Sequence, residues 1–377
     1  MSHVRPDAAP DRGAAPGAAR AASGRLRLLI LSNGSVTHTQ RWADYFVDQG
    51  DEVHVASLEP CLPTRAHAHQ LPSLVPINAL RYPMTVPAVR RLARAMGANM
   101  VAAHFVPNYG MIGALAGRHP LAVVAWGSDL LLNPRRSPLH FWRARYVLER
   151  ADIVFSDALM MTRAIGEMGI HPRRVETLTF GIDTSRFHPL AGPRPQPPII
   201  LSYRQLEPLY HVELLVRAVP EIKKKTRAPF AVRIIGQGSE RERLITLARE
   251  LDAASDITFV PGRPGDKELI EEIRRASIYV STSKSDTTSV SLLEAMACEV
   301  PPVVTRIAGN EEWITHGDNG LLVPLDSHEG LADGIVKLLE SPEVGRTFAR
   351  RNFELVRSRG DWARNMARTR DLLLELA

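Results

Sequence analysis

The sequence predicts an α/β protein made of two doubly wound domains. Short aliphatic and β-branched runs alternate with amphipathic segments along most of the chain, a proline-rich stretch divides that alternation in two, and polar loops follow the apolar runs at their carboxyl ends. With 377 residues and 45% hydrophobic composition, each half has enough apolar residues for its own core.

Residues 1–24 are rich in Ala, Pro, Gly and Arg and contain no apolar segment, so a disordered leader is expected rather than a signal peptide. The first domain is expected over 25–185. Its opening run, RLRLLIL, enters the loop Ser32-Asn33-Gly34-Ser35, the pattern of a first parallel strand. A helix over 38–47 and a strand over 52–56 complete a βαβ opening. Strands then follow at 100–104, 121–125 and 153–156, with helices over 110–116 and 159–168. Five prolines between positions 183 and 198, without periodicity, mark a linker over 186–198. The second domain, 199–360, repeats the alternation. Its strands are at 199–203, 231–235, 257–260, 278–282, 303–305 and 320–323, its helices at 212–223, 240–251, 267–276 and 290–298, and Ala308-Gly309-Asn310 reads as a turn. Residues 361–377 form a terminal helix.

Charge is unevenly spread. The first 190 residues carry 21 Arg, no Lys and 14 acids, a balance of +7, while the remainder carries 26 basic and 27 acidic residues. Clusters at Arg90/Arg91/Arg94, Arg135/Arg136 and Arg143/Arg145/Arg150 suit an acidic acceptor, an anionic membrane surface or simply solvent. No aromatic-interleaved basic stripe points to nucleic acid. No apolar run has the ~20 residues that cross a bilayer. Cys61 and Cys298 lack metal-ligand spacing and are expected to be buried thiols in a reducing, cytoplasmic compartment.

The segment 281–305, STSKSDTTSVSLLEAMACEVPPVVT, carries the chemistry. A polar loop leaves a strand and enters a helix, with Asp286 before the helix and Glu294 inside it. A helix start offers free N–H donors and a positive dipole end, which attract phosphate. Ser291 and Glu294 also fit a capping box, the plain structural alternative. Gly236 and Gly238 are a lone Gly-x-Gly, weak by itself as a dinucleotide signature.

The run Asp286-x7-Glu294-Ala-Met-Ala resembles the signature of retaining glycosyltransferases of the GT4 group, which have the GT-B fold of two Rossmann-like domains facing each other across a cleft. Other landmarks fall in the family's order: SNGSVTHTQRW (32–42), AWGSDL (125–130), FGIDTSRFHP (180–189), IGQGSE (235–240), VPG (260–262) and DNGLLVP (318–324). The resemblance implies that the terminal helix crosses back onto the first domain. It implies that Glu294 accepts hydrogen bonds from ribose hydroxyls and that Asp286 holds hydroxyls of the transferred sugar. Thr288, Ser289 and Val290 would offer backbone N–H groups to sugar and diphosphate, and Asp286-Thr287-Thr288-Ser289 would choose the sugar. Arg204 would neutralise the departing diphosphate, with Gln205 the alternative one register away. Gly262 and Arg263 would flank the base, and Gly34 and Ser35 would face the donor from the first domain. Asp129, His104 and His38 are candidates near the acceptor or reacting sugar. The chain departs from the family at Tyr210, where a lysine is usual and for which Lys284 could substitute; at Trp126, where a histidine is usual; and at Glu299, where glycine would end the helix in a left-handed cap.

The resemblance thus implies retaining transfer from a UDP- or GDP-sugar to an acceptor hydroxyl, in cell-surface polysaccharide, glycolipid or other glycoconjugate biosynthesis. No metal and no cofactor beyond the co-substrate is expected, and no Asp-x-Asp pair is present. The acceptor is expected to be lipid-linked or acidic, with the protein cytoplasmic and able to touch the cytoplasmic face of a membrane. A nucleotide-sugar epimerase, a non-catalytic two-lobed sugar-binding protein and an NAD-dependent dehydrogenase are the competing classes.

Overall fold

The computed structural model describes residues 24–72, 81–118, 120–260 and 265–377. The expected leader up to residue 23, and Gly262 and Arg263, lie outside the described residues. Two sheets are present, each wholly parallel. The first contains β1 (Arg27–Leu31), β2 (Glu52–Ser57), β3 (His67–Gln70), β4 (Met100–His104), β5 (Leu121–Ala125), β6 (Ile153–Ser156) and β7 (Val175–Thr177), in the order β3-β2-β1-β4-β5-β6-β7. The second contains β8 (Ile199–Ser202), β9 (Ala231–Ile235), β10 (Ile257–Val260), β11 (Ile278–Ser281), β12 (Pro302–Thr305) and β13 (Leu321–Val323), in the order β10-β9-β8-β11-β12-β13. Strand order reverses between β1 and β4 and again between β8 and β11, and ligands bind α/β sheets at the carboxyl ends of such switch points.

The strands are continuous apolar runs because helices cover both faces. In β1, Leu29 and Leu31 pack with the helix Met111–Ala116, whereas Leu28 and Ile30 pack with Trp42 and Phe46 of the helix Thr37–Asp48. That second face is completed from the far end of the chain. Met366, Leu372 and Leu373 of the helix Trp362–Leu376 are buried in the same cluster, each burial worth about 1.5–3 kcal/mol before entropy. Arg370 fixes the docking with a two-pronged bond to the buried Asp51, at 2.7 and 2.8 Å. The two passages between sheets also pair with each other, Ile182 N donating to Gly360 O and Trp362 N to Ile182 O, both at 2.8 Å. Gly181 has a φ of +69°, and a Cβ there would stand 2.2 Å from Gly360 O, so the hinge requires glycine.

Several local expectations are corrected. β3 and β7 go unread in the sequence because they are short, polar and only partly buried. The helix Pro138–Arg150 hides among its arginines, although Ser137 caps it and Pro138 opens it. The helix expected from residue 110 is preceded by a π-helical turn, Phe105–Gly110. Ala308-Gly309-Asn310 is the first turn of a short helix, Ala308–Glu311, rather than a reverse turn. The helix Val290–Ala297 does end in a left-handed cap: Glu299 takes a φ of +54°, with Val300 N bonded to Ala295 O and Glu299 N to Met296 O. Arg194 bonds the freed carbonyls of Cys298 and Glu299 at 3.0 and 2.7 Å, which helps hold glutamate in a glycine conformation. Cys298 is buried as expected, but Cys61 is only half-buried.

Candidate active site

The loop after β11 and the helix start at Ser289 form one wall of the site. Ser289 occupies the N-cap position, yet its hydroxyl makes no cap bond. It accepts from Arg204 Nη1 at 2.8 Å, as does Ser291 Oγ at 2.6 Å, while Arg204 Nη2 meets Asp286 Oδ2 at 2.5 Å. Tyr279 OH lies 2.7 Å from Ser291 Oγ and extends the network. One guanidinium therefore spans both ends of the 286–291 segment, as its fork of donors allows. The expected capping box is absent, because Ser291 lies within the helix and its hydroxyl serves Arg204.

Arg204 is positioned by glycines. A Cβ on Gly236 would lie 2.0 Å from Arg204 O, and one on Gly238 would lie 2.2 Å from Leu206 O. The Gly-x-Gly thus lets β9's loop close on the arginine's own backbone. Tyr210 stacks its ring 4.5 Å from the guanidinium carbon. Lys284 does not restore the family's lysine there: it is exposed and lies with His211 and Glu213 around a separate small cavity. Gln205 is displaced from the role by Arg204, which makes these contacts.

Glu294 lies one turn into the helix, its carboxyl pushed up to about 7 by burial, against the pull of a hydrogen bond from Tyr203 and the charges of Arg41, Arg186 and Arg204. Arg41 and Arg186 were not singled out in the sequence. Arg41 lies in the quoted run SNGSVTHTQRW, about one turn into the helix Thr37–Asp48 that follows the first loop, and helical spacing could have placed it on the cleft. Gly309 was also missed. A Cβ there would stand 1.9 Å from Thr287 O, so the helix after β12 buttresses the donor loop at backbone distance. Thr287 touches the first domain, since a Cβ on Gly127 would lie 3.0 Å from its Cγ2. Thr288 Oγ1 donates to Asp157 O at 3.1 Å. Val290 is exposed at the helix start.

The first-domain candidates fare differently. Gly34 N donates to Ser57 Oγ at 2.8 Å, and Ser35 N to Asn33 Oδ1 at 2.9 Å, so neither amide faces across the cleft. A Cβ at position 34 would lie 2.3 Å from Cys61 Sγ and 2.9 Å from Cys61 Cα, so close packing by itself calls for glycine there. Asp129, 1% exposed, accepts from the backbone of Val106, Trp126 and Gly127 at 2.9–3.0 Å. Burial raises its carboxyl and these bonds pull it back. Its carboxylate is thus turned into the domain, where it holds two loops, and is not open to a substrate. His104 is also 1% exposed, with its imidazole pushed down to about 3 by burial and by His38. His38 packs at a tilt against Trp126, with ring centroids 5.0 Å apart, and is lowered by burial and Arg41.

Two facing parallel-sheet domains with a switch-point site define the class. Solved structures share it: sucrose-phosphate synthase from Thermosynechococcus elongatus superposes with a TM-score of 0.76 over 92% of this chain and 97% of that one, at 18% identity. Anabaena HepE in complex with UDP also superposes at 0.76, over 93% of this chain and all of that one, at 17% identity. The chain has the GT-B fold. A family model for glycosyl transferase 4-like domains matches residues 27–158, and one for glycosyl transferases group 1 matches residues 184–354. The chain belongs to the GT4 group of glycosyltransferases. Among curated proteins it is 28% identical to D-inositol 3-phosphate glycosyltransferase of Acidothermus cellulolyticus over 219 residues, covering 52% of this chain and 49% of that one. It is 24% identical to N-acetyl-alpha-D-glucosaminyl L-malate synthase of Bacillus anthracis over 246 residues, covering 63% and 61%. The chain spans about half the length of the D-inositol 3-phosphate glycosyltransferases it matches.

Proposed function

We propose that the protein transfers a sugar from a nucleoside diphosphate to an acceptor hydroxyl with retention of configuration and without a metal. The observation that carries this is the Arg204 guanidinium bridging Asp286, Ser289 and Ser291 beside a helix start with no side-chain cap. A diphosphate placed there meets fixed positive charge and backbone donors, which stabilise the negative charge that grows as the sugar leaves. Asp286 then exchanges its arginine for sugar hydroxyls, and Glu294 accepts from the ribose. HepE, which shares the fold, has been solved in complex with UDP and with UDP-glucose, which favours a UDP-type donor.

No side chain is assigned as a nucleophile. The leaving phosphate takes the acceptor proton as the hydroxyl attacks the same face, so the anomeric configuration is kept. An epimerase would convert donor without acceptor. The test is release of nucleoside diphosphate: it should require donor and acceptor together and be abolished by Glu294→Ala, and release unchanged in that variant refutes the assignment.

The work is proposed to take place at the cytoplasmic face of an anionic membrane, as part of glycoconjugate or polysaccharide synthesis. Among the described residues no helix is long and apolar enough to cross a membrane. Leu132, Leu139 and Trp142 nevertheless project 60, 64 and 58% exposed, next to the exposed Arg135, Arg136 and Arg145. Apolar anchors among arginines suit an interfacial contact.

A further inference from the structure

A cavity of about 360 Å³ lies at the carboxyl ends of β1, β4 and β5, untouched by the donor groups. His38, Tyr82, His104, Phe105, Asn108 and Trp126 line most of it, and among the described residues around it none is Lys, Arg, Asp or Glu. Three local irregularities meet there. Phe105 holds a φ of +69°, a strained conformation for a bulky residue. A π-helical turn follows it directly. Among the described residues neither ring nitrogen of the buried His104 has a hydrogen-bond partner, although the ring packs edge-on to Trp42 at 4.7 Å and beside Trp126 at 5.5 Å. Unpaired buried polar atoms are costly and rare.

The surroundings hold these features in place. Asp129 clamps Val106 on one rim and Trp126 and Gly127 on the other, and Arg143 donates to Pro107 O at 2.7 Å. The rim also points toward the transfer chemistry, because Gly127 abuts Thr287 of the donor loop.

Resting on the glycosyl-transfer reading for the direction of reaction, we infer that this cavity receives the acceptor as an uncharged, hydroxyl-bearing group, whose flat apolar face packs on Trp126 and whose polar atoms satisfy His104. A phosphate or carboxylate beside the reacting hydroxyl does not fit. An anion buried without a cation loses its hydration with nothing to replace it. Both imidazoles are depressed, His104 to about 3, so neither supplies positive charge near neutral pH. The neighbouring arginines are engaged elsewhere, Arg143 with Pro107, Arg81 with Leu58 O and Glu59, and Arg41, whose charge reaches His38, against the ring of Trp362 at 4.1 Å. Of the two acceptor types that the sequence left open, lipid-linked and acidic, this chemistry keeps only an acceptor that is neutral where it reacts. At a pKa near 3, His104 is too weak a base to hold the acceptor proton, so it is a hydrogen-bond partner that positions the hydroxyl.

The test is calorimetric titration of the full chain, saturated with UDP, with methyl, phenyl and octyl β-D-glucoside and with glucose 6-phosphate. At least one neutral glucoside should bind ten times more tightly than glucose 6-phosphate, and Trp126→Ala should weaken it at least tenfold. Binding of methyl glucoside assigns recognition to the sugar ring; binding of only the phenyl or octyl compound assigns it to an apolar aglycone. Asn108→Arg should shift the preference toward glucose 6-phosphate. Equal or tighter binding of glucose 6-phosphate by wild type, or no binding of any of the four, overturns the inference. The melting shifts produced by UDP and GDP alone report the donor site separately, so the absence of both counts against the glycosyl-transfer reading, and the acceptor comparison is then made without nucleotide.

Discussion

At Glu294, pH and donor binding meet. Its carboxyl titrates near 7 in the folded chain against about 4.5 in the unfolded one. Between those values the folded state holds the extra proton, so this group's contribution to stability falls as pH rises through that window. Binding behaves oppositely, because an ionised carboxylate accepts more strongly from two ribose hydroxyls. UDP affinity is therefore predicted to strengthen several-fold from pH 6 to 8, with a much flatter profile in Glu294→Gln. Equal calorimetric profiles in the two proteins would contradict this role. His104 has the reverse signature. Its folded value near 3 lies below the unfolded 6.5, so the unfolded chain binds the proton first and stability is lost as pH falls from 6.5 toward 3. The slope approaches about 1.4 kcal/mol per pH unit. Urea titrations from pH 7 to 4 should show His104→Asn losing less stability than wild type. At this scale the sequence revealed types better than contacts. Asp286 and Glu294 were marked by the motif and Arg204 by the family resemblance, and the fold brings Arg204 onto Asp286, whereas the turning inward of Asp129 and the spent amides of Gly34 and Ser35 depend on partners 20 or more residues away or on local side-chain bonds that no pattern displays.

Elements were legible where burial was continuous and obscured where it was not. β4, β5, β6, β9 and β10 occupy the residues that their apolar runs predict, while β3 and β7 form at sheet edges from polar text. The helix Val290–Ala297 ends as glycine would end it, yet carries Glu299 at a φ of +54°. Removing the left-handed penalty with Glu299→Gly is predicted to raise stability by about 1 kcal/mol in denaturant unfolding; a decrease would show that the bonds from Arg194 depend on the glutamate. The helix Pro138–Arg150 supplies a surface test. Sedimentation with phosphatidylglycerol vesicles should fall several-fold in Leu139→Ser/Trp142→Ser and with added salt, while phosphatidylcholine vesicles bind weakly throughout. Equal binding by the variant would remove this helix from the membrane contact.

Across the whole molecule, contacts between the domains converge on the donor loop and the hinge. Glu312 of the second domain reaches the start of the helix Leu159–Glu167, accepting from Leu159 N at 2.8 Å and Met160 N at 2.5 Å. It supplies the cap that Ala158 cannot, in the place where a negative charge suits the helix dipole. Glu312→Ala is predicted to loosen the contact between the domains, seen as a larger radius of gyration in X-ray scattering and a higher KM for the donor. Scattering and KM both unchanged would make the contact incidental. The alternation of elements and the proline linker were enough to anticipate two sheets, because each domain buries its own apolar runs. The paired passages at Ile182 and Trp362, and the completion of the first core by the terminal helix, join residues more than 170 positions apart and leave no local trace.

The central claim is that Arg204 and the helix start at Ser289 form a nucleoside-diphosphate site. The most direct measurement is the melting shift of wild type and Arg204→Gln with UDP and with GDP. At least one nucleotide should raise the wild-type midpoint in a concentration-dependent way, with most of that shift lost in the variant. A wild-type protein indifferent to both nucleotides, or a variant that responds as fully as wild type, would contradict the claim.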